Sequence, residues 1–171
     1  MTLQMRQSPT GFTTVCDDIR HEIGAKQTLV GCYSNAMIIS APLPIVLPKL
    51  CFFVTYIERV GTETGPLTLQ IYLPGDHQDE PSAASEIDSE SLRNQPIPKD
   101  MTSDRTDGEV SDPLIIIRIP IEISPCVIRQ EGHARFRMRV GDKLVRLGAL
   151  KIVSEPTLDE NSETPVHSDT V

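Results

Sequence analysis

The sequence predicts an all-β protein, an antiparallel immunoglobulin-like β-sandwich of about seven or eight strands. Three observations predict it. Several apolar segments alternate with a period of two, which puts every second side chain on one face of a strand. Turn residues recur between those segments at near-regular spacing. Thirteen prolines from Pro42 onward interrupt every window long enough for a helix. The chain has no Trp, so the Cys…Trp…Cys arrangement of antibody domains is absent and only the architecture is implied.

The elements follow in order. Residues 1–10 have no apolar run of the signal-peptide kind and are expected to be a flexible lead-in. GFTTVC and KQTLVGCYSNAMII are expected to pair as strands, joined by the charge-crowded turn CDDIRHEIGAK. KLCFFVTYIERV is apolar on both faces as far as Ile57, and its β-branched and aromatic content suits a central strand. In PLTLQIYL, Leu67, Leu69, Ile71 and Leu73 share one face and Thr68, Gln70 and Tyr72 the other, as in a half-buried strand. PLIIIRIPIEIS alternates Ile115, Ile117, Ile119, Ile121 and Ile123 with a more mixed face. Its Pro120 has no N–H for a ladder, which predicts an edge or a bulge. HARFRMRVGDKLVRLGALKI is a hairpin that turns at Gly141-Asp142 and resumes at Lys143 or Leu144.

Charge divides the chain. Residues 75–112 hold eleven acids and three bases, and the tail from Ser154 holds five acids and no Lys or Arg. Of the formal net charge of -8, these segments supply -8 and -5, which leaves +5 elsewhere. Both segments are poor in large apolar residues and cannot bury enough surface to offset their ordering entropy. The expected organisation is therefore one domain over 11–153, interrupted by a disordered acidic insertion at 75–112, with a disordered acidic tail at 154–171. No window approaches the ~20 apolar residues of a membrane helix, so a soluble, cytoplasmic protein without a membrane partner is expected. Cys16, Cys32, Cys51 and Cys126 form no C-x-x-C pair, and buried reduced thiols are the expected reading.

Several pieces in this order carry a resemblance. They are the opening strand ending in CDD, GAKQTLVGCYSNAMII, LPKLCFFVTY, LTLQIYLPGD, PLIIIRIPIEI and the closing ARFRMRVGDKLV. Together they resemble a family of short bacterial and phage-encoded proteins described as a domain of unknown function. In it a GK-x-TL-x-G-x-Y hairpin opens a β-sandwich and a Y-x-F-x-V-x-V-D-G hairpin closes it. Here Ala25 precedes the Lys, Gly141-Asp142 reverses the closing order, and the closing strand is more basic. The resemblance spans 11–153 apart from the insertion. It implies a sandwich fold and a bacterial or phage setting, and supplies no catalytic residue.

Two clusters are candidate sites. Asp17 and Asp18 suit an acid/base pair, or a divalent cation with Glu22 as a third ligand. Against this, adjacent residues of a strand point to opposite faces. The structural alternative has Arg20 and Lys26 pairing with Asp18 and Glu22 across a hairpin corner. The second cluster is Arg135, Arg137 and Arg139, which share a strand face opposite Phe136, Met138 and Val140. Arg146 and Lys143 on the partner strand extend it. Guanidinium groups about 6.5–7 Å apart suit phosphate, RNA or an acidic peptide. The plainer reading is a solvated face neutralised by the protein's own acidic segments. A nucleic-acid role is disfavoured by a pI near 4.9 and by the lack of interleaved aromatics. Of the histidines only His77 lies among carboxylates, while His21 and His133 fall in expected turns.

No phosphate loop, nucleophile elbow or H-E-x-x-H motif occurs, so no cofactor is expected. The expectation is a non-enzymatic binding or assembly module acting on a protein partner or on itself. The alternatives are a hydrolase or metal-dependent enzyme at Asp17/Asp18, and a nucleic-acid binder using the Arg stripe.

Overall fold

The computed structural model describes residues 9–59, 65–88 and 114–155. Twelve strands follow in chain order: β1 (Thr10–Cys16), β2 (Asp18–Glu22), β3 (Lys26–Val30), β4 (Ala36–Ile39), β5 (Ile45–Leu47) and β6 (Leu50–Arg59), then β7 (Leu67–Tyr72), β8 (Ala83–Ile87), β9 (Leu114–Ile123), β10 (Cys126–Ile128), β11 (Gly132–Val140) and β12 (Lys143–Ser154). No helix occurs among the described residues, and so none is long and apolar enough to cross a membrane. The all-β class is as expected.

Sheet order is β1-β6-β9 in a three-stranded sheet and β4-β12-β11-β7-β8 in a five-stranded one, with two-stranded pairs β2-β3 and β5-β10. KLCFFVTYIERV is central, as its two apolar faces predict, and β9 with Pro120 is an edge strand. The closing hairpin turns at Gly141, whose φ is +55°, and resumes at Lys143. The two larger sheets pack face to face. Phe52, Val54 and Tyr56 of β6 share one core with Leu67, Leu69 and Ile71 of β7 and with Phe136 and Met138 of β11.

The expected antiparallel immunoglobulin-like sandwich of seven or eight strands requires correction. Twelve strands occur among the described residues, and β4 runs parallel to β12, so the larger sheet is mixed. The physical reason lies in KQTLVGCYSNAMII. Its Gly31 takes φ +66° and bends the chain, so that the two halves, β3 and β4, join different sheets. CDDIRHEIGAK is likewise no simple turn. Its DIRHE is β2, which pairs with β3 from Asp18↔Val30 to Glu22↔Lys26. The true turn shrinks to Ile23, Gly24 and Ala25, with Gly24 and Ala25 at φ +78° and +58°. Ile23 stands 97% exposed at its tip.

The boundaries of the polar segments also shift. The insertion expected from residue 75 opens with ordered structure: a turn, then β8 paired to β7 over Leu67↔Ile87 to Ile71↔Ala83. Asp76 organises the turn. Its Oδ2 accepts from the Leu73 and Ser82 N–H groups at 2.8 and 2.9 Å and from the Ser82 hydroxyl at 2.6 Å. Those bonds replace the hydrophobic surface the segment lacks, and β8 gains order through backbone pairing. Thr10 belongs to β1 and Ser154 to β12. The remaining expectations of disorder, at 1–8, 89–112 and 156–171, lie outside the described residues.

Candidate functional site

The outer face of the five-stranded sheet gathers the arginines. Ala134, Phe136, Met138 and Val140 of β11 are buried in the core. The alternation of the strand therefore turns Arg135, Arg137 and Arg139 outward. Their register neighbours on β7 are Tyr72, Gln70 and Thr68. On the other flank Arg146 of β12 stands directly opposite Arg137. The expected extension by Lys143 is corrected, because its register partner is Val140, a residue of the core face. A cation the sequence reading passed over, Lys151, lies opposite His133 and lengthens the face instead. A register shift between Arg135 and Arg137, where β12 carries an extra residue near Gly148 (φ +110°), keeps Lys151 and Arg146 on one side of the sheet.

Tyr72 was missed as well. It occupies the outward parity of β7 yet is only 2% exposed, because two guanidinium groups lie against it. Arg135 Cζ is 5.2 Å and Arg137 Cζ 4.9 Å from the ring centroid. Cation–π contact holds both groups in place at about 0.5–1 kcal/mol each for a surface site. The signal for Tyr72 was present in the period of two, but its meeting with Arg135 depends on the β7–β11 register, which strand periodicity does not specify. None of Arg135, Arg137, Arg139, Arg146 or Lys151 forms an ion pair among the described residues. Arg137 opposite Arg146 is a like-charge cross-strand pair, which costs stability unless an anion joins it. At the Arg135 end the face opens into a cleft of about 270 Å³ between Pro74, Gly75, Gln130 and His133.

The Asp17/Asp18 corner is built differently. Asp17 Oδ1 accepts the Tyr33 hydroxyl at 2.6 Å. Burial, then this bond, pushes the Tyr33 phenol up to about 12, so it stays a donor. Asp18 accepts from Arg20 Nε at 3.3 Å and from Lys49 Nζ. The Lys49 bond, then the Arg20 bond, holds the Asp18 carboxyl below its ordinary value, and Asp18 in turn raises Lys49. Glu22 accepts the Thr28 hydroxyl at 2.9 Å. Lys26 faces Glu22 in register but makes no ion pair among the described residues, which corrects the expected Lys26 pairing. Lys49, from the turn before β6, takes that role for Asp18. Glu22 lies four residues further along β2, at the exposed end of the arm, so the three carboxylates do not converge. No group of three His, Cys, Asp or Glu residues is arranged to hold a metal ion among those described. His77 stands exposed in the turn before β8, His21 exposed on β2, and His133 on β11 at the end of the arginine face.

The fold and this face define an all-β protein with a cationic sheet surface. A scan against protein-family models finds no match, and neither the curated proteins nor the solved structures supply one.

Proposed function

We propose that this chain is a non-enzymatic binding or assembly module that docks an acidic protein surface, its own second copy included, on the arginine face. The observation that carries this is the alignment of Arg135, Arg137, Arg139, Arg146 and Lys151 on one sheet face without ion-pair partners among the described residues. Two of the guanidinium groups are already ordered on Tyr72, which lowers the entropy lost when an anion binds. A protein partner suits the face better than nucleic acid, because its single aromatic ring is covered by arginine and offers no base a platform. The enzyme reading at Asp17/Asp18 has less support, since Tyr33 holds one carboxylate and Arg20 with Lys49 the other. The setting we infer is cytoplasmic and bacterial or phage-borne, in line with the family resemblance of the opening and closing hairpins.

The test is fluorescence anisotropy of the full chain with a labelled polyglutamate peptide and with a labelled oligo-dT, between about 0.05 and 0.2 M salt. Binding of the peptide is expected to weaken about tenfold or more in Arg137→Glu/Arg139→Glu and to keep its strength in Arg20→Glu on the β2–β3 arm. Tighter binding of oligo-dT than of the peptide, or an unchanged affinity in the double variant, overturns the proposal.

A further inference from the structure

Cys16 lies where three backbone runs come side by side. On one flank β6 places Cys51 directly opposite it in antiparallel register. On the other flank the Tyr33 N–H donates to the Val15 carbonyl at 2.9 Å. That bridge, Val15↔Tyr33, has the register of the β2–β3 hairpin, in which Asp18 faces Val30. Cys32 lies in the bend between this bridge and the hairpin ladder, near enough to Cys16 to act on its thiol. The two runs are close at this bend, since a Cβ added to Gly31 would overlap the Asp17 carboxylate. Cys16 thus has Cys51 opposite it on one flank and Cys32 near it on the other.

The three thiols are graded in exposure. Cys32 is exposed, while Cys16 and Cys51 are buried. Directly opposed residues of antiparallel strands, as Cys16 and Cys51 are, have Cα atoms about 4.5–5.5 Å apart, within the ~4.4–6.8 Å that a disulfide spans. Burial, then the neighbouring sulfurs of Cys51 and Cys32, pushes the Cys16 thiol from 9.0 up to about 11. Burial raises Cys51 too, and its S–H donates to the Asp17 carbonyl at 3.6 Å. The two inner thiols are poor nucleophiles toward an oxidant in solution and are also shielded from it.

We propose that Cys32, Cys16 and Cys51 form a three-thiol site that accepts oxidising equivalents from a hydroperoxide at Cys32 and holds them as a buried Cys16–Cys51 disulfide. The Cys32 thiolate attacks a peroxide oxygen. An S–O bond forms, the O–O bond breaks, and the leaving hydroxide takes a proton and departs as water. Cys16 then attacks the Cys32 sulfur, forming the Cys16–Cys32 disulfide as the sulfenic oxygen leaves as a second water with the Cys16 proton. Finally Cys51 attacks the Cys16 sulfur and expels Cys32, to which its proton passes. In sum two thiols and one hydrogen peroxide give one disulfide and two waters, and the exposed thiol is regenerated. The inner bond then joins two buried residues, shielded from soluble reductants.

The test treats the reduced full chain with stoichiometric hydrogen peroxide, blocks free thiols at timed intervals and digests it with trypsin without reduction. The three cysteines fall in separate tryptic peptides, 7–20, 27–49 and 50–59. The expected result is a linked 7–20/27–49 pair that gives way to 7–20/50–59. In Cys51→Ala the first pair accumulates. In Cys32→Ser, at an exposed position, the inner disulfide is expected to form about tenfold more slowly or less, because the two remaining thiols are buried away from the peroxide. The proposal is overturned if Cys32→Ser forms the inner disulfide at the wild-type rate. It is equally overturned if wild-type Cys32 is recovered only as sulfinic acid or as a disulfide between two chains.

Discussion

Asp18 holds cations from two different elements, Arg20 two residues along its own strand and Lys49 from the turn before β6. Both favour the ionised carboxylate, so its folded-state value lies below the ordinary 3.8. The sign follows from linkage: a depressed carboxyl contributes stability that is complete above the unfolded value and is lost as pH falls through the folded one. Asp18→Asn is therefore expected to melt below wild type at neutral pH. The gap should close as pH drops below about 4 and should narrow in high salt, since Arg20 is exposed and Asp18 and Lys49 are only partly buried. Thermal melts of both proteins across a pH series check this, and a gap that is constant down to pH 2 refutes it. The Arg20 contact was legible in the sequence because residues two apart in a strand share a face. Lys49 was not, because only the packing of β2 beside β6 brings it 31 residues back along the chain.

Strands were legible where side chains alternate, as in β7 and β9, or where both faces are apolar, as in β6. Strands that form through backbone pairing alone were not. β8 carries Ala83, Ala84, Ser85, Glu86 and Ile87, and nothing in that composition predicts a strand until β7 supplies the ladder. The same holds for β2, whose polar sequence marked it as a turn. At Gly11 a strand residue is set by its neighbour instead of its own propensity. β1 runs so close to β6 there that an added Cβ would overlap the Thr55 carbonyl oxygen and press on Leu147. Gly11→Ala is expected to cost about 1–3 kcal/mol through a forced shift of the β1–β6 ladder. A lower urea midpoint at unchanged slope shows it, and an unchanged midpoint rejects the close packing at that point.

Over the whole molecule, the two larger sheets depend on one core and the arginine face depends on both. Phe52 and Phe136 meet across it with ring centroids 5.6 Å apart, and both are almost fully buried. Phe136→Ala is expected to destabilise the protein by about 3–5 kcal/mol, read from denaturant unfolding. A loss below about 1 kcal/mol would mean that the sheets do not share this core. Because Phe136 lies between Arg135 and Arg137 on β11, the same strand carries core and surface on alternate sides. The sequence by itself determined the all-β class, the central place of β6, an edge or a bulge for β9, the closing hairpin and the outward row of Arg135, Arg137 and Arg139. Each of these follows from side-chain periodicity or from proline's missing N–H, which act within a single strand. Only the tertiary structure decided that Tyr72 lies under two guanidinium groups, that Lys151 and not Lys143 joins Arg146 on the face, that Lys49 holds Asp18, and that Cys16 faces Cys51 with Cys32 nearby. These depend on which strands become neighbours and in what register, and register is a property of the packed sheet that no single strand contains.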